Sequence, residues 1–242
     1  MATNCEACPL RQRSVFTPFT ADELRFMQRF KRGELTVEPG ATILAEGGRT
    51  PQLYTALRGL GVRYKTLLSG RRQVINFVFP GDFLGLQAGV MGEMQHAVEA
   101  TTRMTLCVFE RRDLWTFFRH SAERAFDLTW LAAVEEHFLG EALATVGQRS
   151  ATERVAWALV RIYVRGSALG LAGAQGMMLP YKQQDLADAL GLSLVHTNKT
   201  LAKLRARGVA TWIGGVLHVP DLAALAEIAE MEVEPAQTRP LI

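Results

Sequence analysis

Between Lys182 and Arg207 the chain reads KQQDLADALGLSLVHTNKTLAKLRAR, two short helices joined by a glycine turn, and the second helix carries the side chains with most to offer a ligand. Thr197, Leu201 and Leu204 recur at helical spacing and are expected to face inward. The opposite face presents Val195, His196, Asn198, Lys199 and Lys203. Amide and ammonium groups there can hydrogen-bond to base edges, and the side chains near the start of such a helix are those that reach the groove in helix-turn-helix docking. Arg205 and Arg207 follow at once, where phosphates would be met. Two amphipathic helices around a glycine also occur in many proteins that never touch nucleic acid, so the surrounding elements must decide.

Those elements are explicit. Leu186, Ala187 and Leu190 form one apolar stripe on the first helix, Gly191 ends it, and Ser193 is a natural N-cap for the second. Val209 to Ile213 and Val216 to Val219 are two β-prone runs around Gly214-Gly215, which is a hairpin signal. A helix pair followed by a hairpin is a winged helix-turn-helix. The net charge of +3 is too small to argue for nucleic acid by itself. Between Gln148 and Gly208, however, Arg149, Arg154, Arg161, Arg165, Lys182, Lys199, Lys203, Arg205 and Arg207 face only Glu153, Asp185 and Asp188. That clustering is the electrostatic signal.

Thiols are the second chemical feature. Cys5-x-x-Cys8 lies in the N-terminal arm and Cys107 within MTLCVF. Three cysteines, in a chain whose start MATNCEACPLRQR lacks the apolar core of a secretion signal, argue against a disulfide framework and for a cytoplasmic protein. They leave metal binding, redox chemistry or inert burial. His96, His120, His137 and His218 fall into no metal-binding spacing, and no GxSxG, phosphate loop or dinucleotide glycine pattern occurs, so no enzyme is expected. No apolar run is long enough to cross a bilayer, and no membrane partner is expected.

With 48% hydrophobic residues, the 242-residue chain can bury a substantial core. After an arm over 1–19, Thr20-Ala-Asp-Glu23 resembles a capping box opening a helix through Phe30. Short strands follow, including Leu53 to Leu57, Val62 to Leu67, Gln73 to Phe79 and Met104 to Phe109, so 20–120 is expected to be a β sandwich or barrel. From Ser121 to about Val146 the pattern is helical, and Leu128, Leu131, Phe138, Leu139, Ala142, Leu143 and Val146 cover more than one face. Such a helix, over 121–147, needs two partners: the β domain and the same helix of a second subunit, or else the interior of a monomer. Gln148-Arg149-Ser150 is the expected hinge, Ala151 to Arg165 the first helix of a C-terminal domain over 148–242, and Ser167 to Gly176 a flexible loop. The fold class is α+β.

With GRRQVINFVFPGDFLGL, EATTRMTLCVF, the long helix and QQDLADALGLSLVHTNKTLAKLRARGV in this order, the chain resembles the Crp/Fnr family of bacterial transcription regulators over nearly its whole length. The resemblance implies an N-terminal cyclic-nucleotide-binding-like β-roll acting as sensor of a redox, oxygen or small-molecule signal. It further implies a dimerisation helix and a winged helix that reads two-fold symmetric double-stranded DNA and acts on RNA polymerase. The alternative is a β-roll enzyme or small-molecule-binding protein whose C-terminal domain only mediates interactions.

Departures from the family pattern narrow what carries over. In the cyclic-AMP branch a Gly-Glu pair holds the ribose and an Arg-Ser pair the phosphate. Here Leu86 stands where the carboxylate would be, and Met94-Gln95 or Gln95-His96 where the Arg-Ser would be, so cyclic AMP is disfavoured. In the Fnr branch a [4Fe–4S] cluster is held by three arm cysteines and one in the β-roll. Cys5, Cys8 and Cys107 match three of them, while Ser14 or Phe16 occupies the place of the fourth, and an oxygen ligand from Asp22, Glu6 or a hydroxyl would have to complete the set. A redox-switchable dithiol, a zinc site and unremarkable thiols are the competing readings. In the recognition helix, Val195 replaces the family's glutamate and Lys199 its arginine, so the family's half-site does not carry over.

Overall fold

The computed structural model describes residues 2–120 and 122–242; Ser121, from which the long helix is expected to start, lies outside the described residues, as do Met1 and the side chain of His120. Helix α1 (Ala21–Phe30) is followed by strands β1 (Gly33–Val37), β2 (Thr42–Leu44), β3 (Gln52–Arg58), β4 (Gly61–Thr66), β5 (Arg72–Val78) and β6 (Phe83–Leu84). Helix α2 (Leu86–Met91), strands β7 (Ala97–Ala100) and β8 (Met104–Glu110) and helix α3 (Leu114–His120) complete the N-terminal region. Helices α4 (Ala122–Gln148) and α5 (Ala151–Ala168), strands β9 (Ala172–Gly173) and β10 (Gly176–Met178), and helices α6 (Gln183–Leu190) and α7 (Leu194–Ala206) come next. Strands β11 (Thr211–Ile213) and β12 (Val216–His218) and helix α8 (Leu222–Ile228) close the order.

The chain divides into two compact units, Met1–Glu136 with Thr238–Ile242, and His137–Gln237. The first is a β-roll of two four-stranded antiparallel sheets, ordered β1-β8-β3-β6 and β2-β7-β4-β5. Their inner faces alternate into one core in which Tyr54, Ala56, Val78, Leu84, Val98, Met104 and Leu106 are buried. Thr20 and Glu23 exchange both hydrogen bonds of a capping box, which starts α1 where the sequence places it. An aromatic cluster then fixes that helix: Phe30 stacks on Phe109 at 5.0 Å and meets Phe117 at 5.1 Å.

The two compact units are divided at other places than the expected boundaries. The division falls inside α4, because its first half buries Leu128 and Leu131 in the β-roll unit, while Phe138 stacks on Trp157 of α5 in the other. And residues 238–242 do not belong with the winged helix: Leu241 and Ile242 are buried in the β-roll unit at 4% and 5% exposure.

In the second unit, Ser150 and Glu153 form a capping box that begins α5 directly after the hinge. The stretch over 167–176, expected as a flexible loop, holds the end of α5, two turns and, between them, strand β9, which extends the wing to a four-stranded sheet ordered β11-β12-β10-β9. The local reason is a close approach: Gly166 is buried, and a Cβ there would collide with the thioether of Met177 on β10. The wing turn requires positive φ at both central residues, and Gly214 (60°) and Gly215 (75°) supply it.

Candidate nucleic-acid interface and thiol pocket

Helix α6 buries Leu186, Ala187 and Leu190, and Gly191 turns the chain in the left-handed conformation with φ 64°. Ser193 caps α7, its hydroxyl accepting from His196 N at 3.2 Å. Thr197, Thr200, Leu201 and Leu204 are buried, and the Thr197 hydroxyl donates back to Ser193 O at 3.1 Å. Thr200 is the one member of this inner face that sequence periodicity missed. Behind the helix the wing is pinned by Trp212, whose indole N–H donates to Leu179 O at 3.1 Å.

With the inner face thus occupied, Val195, His196, Asn198, Lys199, Lys203, Arg205 and Arg207 are all exposed. They form a surface of two ammoniums, two guanidiniums, an imidazole, an amide and an aliphatic group without a carboxylate among them. Such a set can bond phosphates and base acceptors.

The wider cationic cluster does not all belong to this surface. Arg149 donates from Nε to Ala229 O at 3.0 Å and from NH1 to the buried Thr145 hydroxyl at 2.5 Å. Arg154 donates to Arg149 O at 2.7 Å. Arg161 lies over the Phe138 ring at 5.8 Å, and burial, with Arg165 beside it, lowers its pKa. These arginines staple α4, α5 and α8 together. A count of charges along the chain cannot tell such staples from cations that face solvent.

In the first unit, register brings the thiols together. On β8, Cys107 sits opposite Glu34 of β1 and Thr55 of β3. Directly opposite residues in antiparallel strands share a face. Cys5, Cys8 and Cys107 line one cavity of about 30 Å³ with Lys31, Arg11, Thr55, Leu241 and Ile242. Lys31 was not singled out by sequence; its ammonium donates to Thr3 O and Glu34 Oε1, both at 2.7 Å, and so ties the arm to the β-roll. Burial opposes the charge on Lys31, but the Glu34 hydrogen bond and the nearby thiols raise its pKa. Burial pushes the Cys107 thiol up to about 12 despite Lys31, and raises that of Cys5 as well. Cys5 and Cys8 span one turn of 3₁₀ helix, closed by Cys8 N donating to Cys5 O at 3.4 Å.

Among the described residues no group of three or more His, Cys, Asp or Glu side chains is arranged to hold a metal ion. The cavity between the thiols is the size of one water, and no Asp, Glu or His side chain lines it. In this arrangement the donor set does not fit a [4Fe–4S] cube. Of the histidines, His137, His196 and His218 are exposed, and His96 is half-buried.

Where cyclic-nucleotide ligands would need a cation and a hydroxyl, Met94 is buried at 1% exposure and Leu86 opens α2. The nearby buried cation is already engaged: Arg63 pairs with Glu135 at 3.2 Å and donates to Phe83 O at 3.2 Å, while Asn76 donates to the same Glu135 at 3.3 Å.

Comparison with known proteins matches this architecture. Residues 34–121 match a cyclic nucleotide-binding domain and residues 153–228 a Crp-like helix-turn-helix domain. The nitrogen fixation regulation protein FixK of Bradyrhizobium diazoefficiens is 31% identical over 93% of this chain and 93% of its own length. The transcriptional activator protein FnrL of Cereibacter sphaeroides is 28% identical, covering 93% of this chain and 91% of its own. The solved structure of FixK2 from Bradyrhizobium japonicum superposes with a TM-score of 0.73 at 27% identity, covering 81% of this chain and 96% of that one. No helix among the described residues is long and apolar enough to cross a membrane. A β-roll followed by a winged helix, matched by relatives along almost the entire chain, makes this protein a member of the Crp/Fnr family: a DNA-binding transcription regulator and not an enzyme.

Proposed function

We propose that the chain acts as a homodimer that reads a two-fold symmetric promoter site through α7 and passes the outcome to RNA polymerase, in the cytoplasm. The observation that carries this reading is the sorting of α7: Thr197, Thr200, Leu201 and Leu204 inward, and Val195, His196, Asn198 and Lys199 outward near its start. Asn198 and Lys199 supply base-edge donors, Val195 a surface for a thymine methyl, and Lys203, Arg205 and Arg207 phosphate contacts. A second subunit fits α4, where Phe126 (67%), Leu139 (47%) and Leu143 (76%) expose apolar side chains. Footprinting on the protein's own promoter region tests the reading; binding without sequence preference at any salt concentration would refute it.

The sensor chemistry we assign to thiol oxidation and not to a cluster or to cyclic AMP. The hydrogen-bonded turn brings Cys5 and Cys8 within the reach of a disulfide. With a hydroperoxide, two thiols give one disulfide, an alcohol and water, so atoms and electrons balance. Iron determination and thiol titration on anaerobically purified protein decide the matter: stoichiometric iron would overturn the assignment, and loss of two thiols on peroxide treatment supports it.

A further inference from the structure

Residues 232–238 are exposed, and the chain is gripped again only from Arg239 onward. Arg239 N donates to Val15 O at 2.8 Å and Thr17 N to Arg239 O at 2.9 Å, a parallel bridge centred on Phe16. The Arg239 guanidinium lies 3.1 Å from the carboxylate of Asp82, whose side chain is 2% exposed. Asp82 itself is held by the turn it belongs to, accepting from Phe79 N at 3.0 Å. Farther along, Arg124 donates to Leu241 O at 3.3 Å and Thr55 to Ile242 O at 2.5 Å. Pro240, Leu241 and Ile242 are buried, and the last two line the cavity shared by Cys5, Cys8 and Cys107.

We propose that this groove is a peptide-binding site of the β-roll unit, selective for an extended Arg-Pro-aliphatic-aliphatic segment, and that its occupant, Thr238–Ile242, is a removable cover over the cavity that the buried Cys107 shares with the half-buried Cys5 and Cys8. The grip is one isolated parallel bridge to the N-terminal arm: main-chain bonds to Val15 and Thr17 give affinity, and the Asp82 site and the apolar floor give selectivity. A carboxylate as buried as Asp82 favours any segment that brings it a guanidinium. An exposed stretch over 232–238 leads into the segment, so its release is a local event and not global unfolding. The proposal is independent of how α7 meets DNA, and it holds whether or not the thiols are the signal receiver.

The test uses the full chain, reading iodoacetamide labelling of each cysteine by mass spectrometry together with hydrogen exchange at Thr17. In Arg239→Glu, labelling of Cys5 and Cys107 is expected to rise about tenfold or more and the Thr17 amide to exchange faster. Free Thr-Arg-Pro-Leu-Ile peptide should reverse both effects in that variant, and the same peptide carrying Arg239→Glu should not. Unchanged labelling, or no reversal by the peptide, overturns the proposal. If Arg239→Glu does not fold, Ile242→Ser, which leaves the Asp82 pair in place, must raise labelling in the same direction; no rise overturns it equally.

Discussion

Arg154 reaches from α5 to the carbonyl of Leu190, the last residue of α6, donating from NH1 at 3.2 Å. The bond satisfies one of the carbonyls a helix leaves unpaired at its end, and it fixes the Gly191 turn from which α7 departs. An arginine inside the domain thus sets the aim of those outside it, and the two kinds must answer differently to mutation.

For the outer set, Lys199→Ala is expected to cost about 1–3 kcal/mol on the specific site and little on random DNA, because the role proposed for Lys199 is a base contact. Arg205→Ala should weaken both alike and reduce the salt slope by about one. Salt-dependent gel shifts on both DNAs check this; equal losses in the two variants would show that the roles are not divided in this way.

The exposed apolar residues of α4 make the proposed subunit contact testable. Leu143, at 76% exposure, can be replaced without disturbing the monomer's interior. Leu143→Glu is expected to weaken self-association about a hundredfold. Sedimentation analysis is expected to show a dimer for the parent chain and a monomer for the variant, and identical profiles would remove the helix from the proposed interface.

Burial, then the neighbouring Arg63, lowers the pKa of His96 from 6.5 to about 4, against weaker opposition from Glu135 and Glu46, while Lys65 acts with Arg63. Between those two values the unfolded chain binds the extra proton, so stability is full above 6.5 and falls as the pH drops toward 4. The limiting loss is about 3 kcal/mol. Urea melts at pH 7 and at about pH 4.5 should show His96→Gln losing less stability than the parent chain across that interval. An unchanged pH slope would mean that His96 stays hydrated.

Gly81 has φ 90°, and a Cβ there would strike the ring of Phe16. Gly81→Ala is therefore expected to destabilise by about 1–3 kcal/mol. Gly70, with φ 77° and open space around it, provides the control: Gly70→Ala meets the backbone penalty alone and should lose less. Equal shifts in urea midpoint would show that the Phe16 contact contributes nothing.

How much of this was legible in the sequence follows from what kind of signal each feature leaves. The winged helix was readable because its markers are local: Gly191, Ser193, the threonine and leucine spacing, and the Gly-Gly turn each impose a backbone state or a face. The five outward side chains Val195, His196, Asn198, Lys199 and Lys203 followed from the same periodicity, and Arg205 and Arg207 from their place at the wing junction. The partition of the arginines was not readable, since Arg149 and Arg161 acquire their partners only when helices distant in sequence pack. Nor could spacing show that Cys5 and Cys8 meet Cys107, for that depends on the register of β1, β8 and β3 and on Lys31 tying down the arm. Residues 238–242 have neither period nor motif, and the burial of Pro240, Leu241 and Ile242 depends on Asp82, Thr55, Arg124 and the Val15–Thr17 arm, which receive the segment.

The turn at Gly214 and Gly215 bears on how the wing can be studied. Both residues at its tip lack side chains, and both hold a backbone conformation that other residues resist. Any grip the tip takes on a nucleic-acid strand is made by peptide N–H groups, which truncation to alanine leaves in place. A mutational survey of side chains would pass over the wing tip in silence, and only changes to the main chain, such as an ester in place of one amide, would make it report.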